Sequence, residues 1–277
     1  MCRLVGWVSP EPVTLRDVIG ETAVERLLRL STVHRHGWGA AWHEGAGRAD
    51  LHVRRAAAPA AEDRNFRELV DTVAATSAVV HLRMGTPGYG RTTVDTHPFA
   101  DADWALIHNG AVAPPDLVDR LLAANSARRP EGSTDSERWF LALRDEIDRG
   151  RSVPDAVTAV LERAHSAGLH GSSWNSMLLG PSAMHVVVHH DHALLPVDIQ
   201  LWPDAYPEEI VCWPPYFDLR LQQNDAFTTV ASSGIVEDTT GWALLPNMSV
   251  LRLGFDTAEP ETVVLPPSAV RPATVQV

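Results

Sequence analysis

Met1-Cys2-Arg3-Leu4-Val5-Gly6-Trp7-Val8 opens the chain, and its second residue governs how the rest is read. If the initiator methionine is removed, Cys2 becomes N-terminal and carries a thiol and an α-amino group on one residue. That sets a nucleophile beside a base with an unperturbed pKa near ~8, able to attack an amide without a separate histidine. Such a nucleophile still needs donors for an oxyanion and a clamp for the substrate. The apolar run 4–8, bounded by Ser9-Pro10, reads as a strand that holds Cys2 at its start. Burial is the ordinary fate of a free cysteine, so position two carries weight only if donors and clamp are found elsewhere.

A chain of 277 residues, 45% of them hydrophobic, can bury a large core, and residues 1–277 read as one domain. No apolar run approaches the ~18 residues of a membrane span, and the N-terminus lacks the apolar core and cleavage region of a secretory signal. A soluble, cytoplasmic protein is expected. The net charge of −12 sets like charges against nucleic acid or an anionic membrane, and neither is expected as a partner. All 23 basic residues are arginine, which excludes a lysine Schiff base. Cys2 and Cys212 show no CxxC or Cys-His spacing and read as free thiols. His185, His189, His190 and His192 lack a carboxylate spacing that would complete a ligand set, so no metal and no cofactor are expected.

Periodicity supplies the elements. Thr22 and Glu25 form a capping-box pattern before Val24, Leu27 and Leu28, predicting a helix to about Ser31. Gly37 and Gly39 flank Trp38 and let backbone pass close to something, ahead of a strand over 40–43 and a Gly-rich hairpin at 45–47. Phe66, Leu69, Val70 and Val73 share a helix face; strands are predicted over 77–82 and 104–108. Leu117, Val118, Leu121 and Leu122 suggest a helix. A second capping box, Thr134 and Glu137, opens a helix with Trp139, Phe140, Leu143 and Ile147 inward, and another follows Pro154 and stops at Gly168. Strands over 177–179, 184–189, 228–231 and 250–253 complete an α+β pattern, partly segregated. A Pro- and Trp-rich insertion at about 194–221 reads as a cover over the site, a subunit contact or an irregular excursion. The end, from about 260, reads as a loose tail.

His81-Leu82-Arg83-Met84-Gly85-Thr86-Pro87-Gly88 puts an arginine at a strand end beside a loop permitting close approach; arginine grips a carboxylate with two prongs. Taken alone, such an arginine is usually a solvated surface residue. Asn109-Gly110 is either an ordinary turn or, with a backbone N–H nearby, a pair of donors aimed at one oxygen. Ser133-Thr134-Asp135-Ser136-Glu137 is most simply a helix cap, although Asp135 in the first turn can also receive an ammonium group.

Together with Cys2 and with Thr96-His97-Pro98-Phe99, these motifs occur in the order and approximate spacing of the class II glutamine amidotransferase domain, which the chain resembles over about 1–179 and more weakly beyond. It is similar to the small stand-alone members that begin Met-Cys-Arg, among them the ergothioneine-biosynthesis γ-glutamyl amidohydrolase, and Val230-Ala231-Ser232-Ser233, Gly241-Trp242 and Leu245-Pro246 resemble their C-terminal part. The resemblance implies an N-terminal-nucleophile hydrolase built as a four-layer αββα sandwich. In it Cys2 would be the nucleophile and its own amine the base, and Asn109 and Gly110 would form the oxyanion hole. Arg83 would hold the substrate α-carboxylate, with Thr86 nearby, and Asp135 the α-ammonium. The implied substrate is a small γ-glutamyl amide or glutamine, cleaved through a thioester on Cys2. With no synthase domain following, the alternatives are a glutaminase subunit delivering ammonia to a separate acceptor enzyme, or a binding or regulatory protein that kept the fold; a homo-oligomer is open. Asp95 departs from the asparagine common before Thr-His-Pro-Phe, and Met84-Gly85 from the usual Trp-Ala.

Overall fold

The structure is a computed structural model and describes residues 2–45, 50–191, 216–257 and 259–269. Alternation along its first strand sets the layering. In β1 (Arg3–Val13), Leu4 packs in one buried cluster while Val5 and Trp7 pack in another, as the period of two in a strand buried on both faces requires. β1 lies in a seven-stranded sheet. Its neighbours are β4 (Ala75–Leu82) and β12 (Thr228–Ser232), with β2 (Trp38–His43) and β3 (His52–Ala56) beyond the former and β11 (Leu219–Gln223) and β13 (Ala243–Leu244) beyond the latter.

A six-stranded sheet faces it. It runs β15 (Glu261–Val264), β14 (Ser249–Gly254), β10 (Ala183–Val188), β9 (Asn175–Leu179), β6 (Ala105–Asn109), β5 (Phe99–Ala100), while β7 (Val112–Ala113) and β8 (His170–Gly171) pair apart from both sheets. Leu4 and Val79 from the first sheet meet Ile107, Met177, Val186 and Leu251 from the second, an apolar inter-sheet core. On the outer face of the first sheet lie α1 (Leu15–Leu30) and α2 (Arg64–Thr72), with Leu27 and Phe66 against Val5 and Val80. On that of the second lie α3 (Asp135–Asp148) and α4 (Val153–Ser166), with Trp139 and Val160 against Leu106 and Leu178. This is the αββα sandwich. Buried indoles find acceptors, as they must: Trp38 Nε1 donates to Asp63 (2.8 Å) and Trp139 Nε1 to the Ser176 hydroxyl (2.9 Å).

Several boundaries differ from the sequence reading. α1 starts at Leu15 because Thr14 and Asp17 form the reciprocal capping box, and Thr22 sits exposed inside the helix, past a break at Gly20 (φ 78°). The Leu117 to Leu122 pattern is a 3-10 helix over Pro115–Leu121, opened by consecutive prolines. Glu137 turns its carboxylate to the loop N–H groups of Glu131 and Gly132 (2.7 and 2.9 Å), so at Thr134 only half of a capping box forms. Asn109 ends a strand paired to Asn175, and no hairpin follows. The expected loose tail is a strand over part of its length, β15 on β14. Of the 194–221 insertion, 194–215 lies outside the described residues and its end enters β11; the 45–47 hairpin and Cys212 lie largely or wholly outside as well. Among the described residues no helix is long and apolar enough to cross a membrane.

Gly39 explains the close approach read at Gly37-Trp38-Gly39. A Cβ there would strike the His97 carbonyl oxygen and come within 2.8 Å of Pro98 Cδ, so β2 packs directly on the 97–98 backbone. Backbone cannot swing aside as a side chain does, and Gly39→Ala should lower unfolding free energy by ~1–3 kcal/mol, read as a shifted urea midpoint at unchanged slope.

Candidate active site

Pairing in the first sheet brings the first two site residues together. β1 is antiparallel to β4 with Arg3 opposite Leu82, so one further step of the same register sets Cys2 against Arg83. By the alternation of each strand, both share the side of Leu4 and Val79, which face the second sheet. Cys2 is a buried free thiol, and its Sγ lies 3.8 Å from the Met84 carbonyl. Behind it, Leu4 N–H donates to the Ser232 hydroxyl (2.9 Å), fixing the start of β1 on β12.

The second sheet supplies Asn109, the last residue of β6. Cys2 N donates to Asn109 Oδ1 at 2.8 Å. A backbone N–H can only donate, which fixes the amide orientation: oxygen to Cys2 and Nδ2 away from it. Nδ2 is buried with no partner among the described residues, a state that costs ~1–3 kcal/mol unless something engages it. Gly110 follows, where any Cβ would collide with the Ser173 carbonyl and sit 2.8 Å from His108 Nε2. Only glycine fits.

Arg83 is buried, with Nη2 donating to Gly90 O (2.7 Å), Nη1 to His36 O (3.5 Å), and Nε unpartnered. Burial lowers its pKa, and Cys2, Asp95 and Asp135 oppose that shift, so all three lie within electrostatic reach of the guanidinium. Asp135 opens α3, where the helix dipole favours an anion. Its Oδ2 accepts from Val112 N and its Oδ1 from Ser136 N, both at 2.7 Å. Thr86 is half-buried in the loop after Arg83, and no hydrogen bond joins its side chain to the other described residues. The structure thus gathers Cys2, Asn109, Gly110, Arg83 and Asp135 at one end of the sandwich, with Thr86 on the adjoining loop.

Three buried histidines lie beneath this end, and sequence reading assigned them no part. His81 and His97 have ring centroids 4.1 Å apart, and His81 Nε2 donates to His108 O (3.1 Å). His108 Nε2 faces the Ser173 carbonyl (3.2 Å) and must carry the proton, so Nδ1 accepts from the Ser136 hydroxyl (2.9 Å) and His108 buttresses the first turn of α3. His36 Nδ1 accepts from Gly85 N (2.9 Å), and burial holds its pKa to about 4. Of the C-terminal histidines, His185 stacks on Trp104 and His190 on Phe217, while His192 is outside the described residues. A cavity of about 270 Å³ lined by Val8, Ser9, Phe227 and Phe255 lies at the other end of β1 and shares no residue with the Cys2 site.

The family model for class-II glutamine amidotransferases matches residues 1–233. The chain belongs to that family. Among curated proteins, this family member is similar to a γ-glutamyl-hercynylcysteine sulfoxide hydrolase of Mycobacterium tuberculosis, 27% identical over 120 residues, which are 40% of this chain and 50% of that protein. The match therefore spans half the length of that relative. Among solved structures it resembles a glutamine aminotransferase class-II domain protein from Silicibacter pomeroyi (TM-score 0.62, 19% identity, 96% of this chain and 100% of the other). It also resembles glutamine phosphoribosylpyrophosphate amidotransferase of B. subtilis (TM-score 0.60, 15% identity, 94% and 49%). At these identities the structural likeness speaks for the fold.

In this class-II site the histidines are kept neutral. Desolvation lowers the pKa of His81 to about 3, and those of His97 and His34 well below 6.5. In the unfolded chain the same rings titrate near 6.5, so below that pH the unfolded state binds more protons and stability falls as pH drops. The loss continues until the folded rings titrate, near pH 3 for His81. Thermal midpoints should decline steadily from pH 6.5 to 5, above the carboxylate range, and the decline should be shallower in His97→Gln; a flat profile there would contradict neutral burial.

Proposed function

We propose that the protein cleaves a γ-glutamyl amide through a γ-glutamyl thioester on Cys2, after removal of Met1. The carrying observation is the amide of Asn109: its oxygen holds Cys2 N while its Nδ2 stays buried and unpartnered. With Met1 gone, the nitrogen at that position is the α-amine. It takes the thiol proton as sulfur attacks the γ-carbonyl carbon, and the oxyanion forms against Asn109 Nδ2 and the Gly110 N–H. Collapse breaks the C–N bond, and the proton returns from the α-ammonium to the departing amine or ammonia. Water then attacks the thioester, the amine again accepting a proton, and glutamate leaves with the thiol restored.

Recognition of the substrate head follows from charge. The Arg83 guanidinium, with its Nε unpartnered, suits the α-carboxylate, and Asp135, poised by two N–H donors, suits the α-ammonium. Thr86 would line the carboxylate side. The resemblance to a γ-glutamyl-hercynylcysteine sulfoxide hydrolase supports a γ-glutamyl thiol conjugate of the ergothioneine type as substrate in preference to glutamine. A reducing, cytoplasmic setting would keep this thiol free, and it is the location that goes with this reading. Among the described residues the buried histidines hydrogen-bond to backbone and hydroxyl groups and not to the thiol, which favours the α-amine as the base.

Intact mass should show a chain lacking Met1. Cys2→Ala should abolish turnover of γ-glutamyl conjugates and the trapped acyl adduct, and Asn109→Ala should reduce kcat ~10²–10³-fold. Undiminished turnover by Cys2→Ala would overturn the nucleophile, and turnover confined to glutamine would point to ammonia delivery instead.

A further inference from the structure

Asp95 is buried between the loop that follows Arg83 and the segment that opens α3. Its Oδ2 accepts from Thr92 N (3.1 Å) and the Thr92 hydroxyl (2.6 Å), and its Oδ1 from Ser133 N (2.9 Å) and the Ser133 hydroxyl (3.0 Å). The chain of contacts runs on. Ser133 Oγ accepts from Gly90 N (2.7 Å), and Gly90 O accepts from Arg83 Nη2 (2.7 Å). Two residues past Ser133 stands Asp135. The fit is close: a Cβ on Gly90 would run into the Asp95 carboxylate, and one on Gly132 would lie 2.8 Å from its Oδ1. Desolvation raises the pKa of Asp95, but the donors from Ser133 and Thr92 outweigh it and hold it to about 2, so the group is anionic throughout the neutral range.

We propose that Asp95 is a positioning residue which, through Ser133 and Gly90, fixes the separation between Arg83 and Asp135 and so sets the amino-acid head the site accepts. The inference rests on the reading of those two residues as the carboxylate and ammonium clamps. It differs from simple loop stabilisation because the tie joins two segments that each carry one charge. An asparagine could still accept from Ser133, but its NH₂ would face the Thr92 N–H and lose that bond, leaving only the Thr92 hydroxyl able to reverse and accept.

Asp95→Asn and Ser133→Ala, with Met1 removed, are compared with the natural protein using two cysteine reagents and a thermal melt. One reagent is the diazo-ketone analogue of glutamine, which must be held by both clamps; the other is iodoacetamide, which needs only the thiol. The expected result is ~10-fold or more slower inactivation by the analogue, an unchanged iodoacetamide rate, and a KM for γ-glutamyl p-nitroanilide that rises while kcat moves little. The preference for that substrate over its glutaryl counterpart, which lacks the ammonium, should narrow. Equal loss with both reagents alongside a lowered melting temperature would reduce Asp95 to a fold-stabilising residue, and unchanged kinetics would refute the inference outright. A natural protein indifferent to the analogue would instead bring down the proposed function itself.

Discussion

One hydrogen bond, from Cys2 N to Asn109 Oδ1, connects the two sheets at the end that holds the candidate site. It joins the residue that precedes β1 to the residue that closes β6, across 107 positions of sequence. Neither partner is free to drift. Leu4 N is tied to Ser232, and β6 is locked by its register with β9, where Asn109 lies opposite Asn175. Because Asn109 gives its oxygen to this bond, its NH₂ is turned away from Cys2 N and stays buried with no partner among the described residues. A strand pairing and a core packing arrangement thereby decide the direction in which a donor points.

The charges at this end follow a similar logic. Arg83 and Asp135 come from different layers, the end of β4 and the start of α3, and each is steadied mostly by backbone groups: the Gly90 and His36 carbonyls for one, the Val112 and Ser136 N–H groups for the other. In a site withdrawn from water such interactions gain strength. The histidines below contribute in the opposite sense, as neutral packing whose shape matters more than their protonation. His108 touches the Ser173 carbonyl, which crowds Gly110, and the Ser136 hydroxyl, beside Asp135.

Much of this arrangement was legible in the sequence, and the reasons are physical. Alternating or continuous apolar runs marked β1, β4, β6, β9, β10, β12 and β14, and 3.6-residue spacing marked α2, α3 and α4, because those segments bury whole faces. Cys2, Arg83, Asn109 and Asp135 could be named since each stands at the edge of such a segment. What stayed hidden depends on partners far along the chain. β3, β11 and β15 are short or half-exposed strands recruited by neighbours, and nothing in Glu261–Val264 alone announces β14 across from it. The true cap of α1 lay at Thr14 and Asp17, overshadowed by an equally plausible pattern eight residues on. Asp95 read as a departure from a motif; its four donors come from Thr92 and Ser133, and the latter pair is 38 positions away.

Because Cys2 N and Asn109 Oδ1 come from the two different sheets, their bond can close only once those sheets have docked in register. A sandwich whose layers had slipped by one residue would keep its helices and much of its greasy interior, yet lose the alignment of this amide. Correct docking of the layers and the geometry at this end of the molecule are thus one and the same condition.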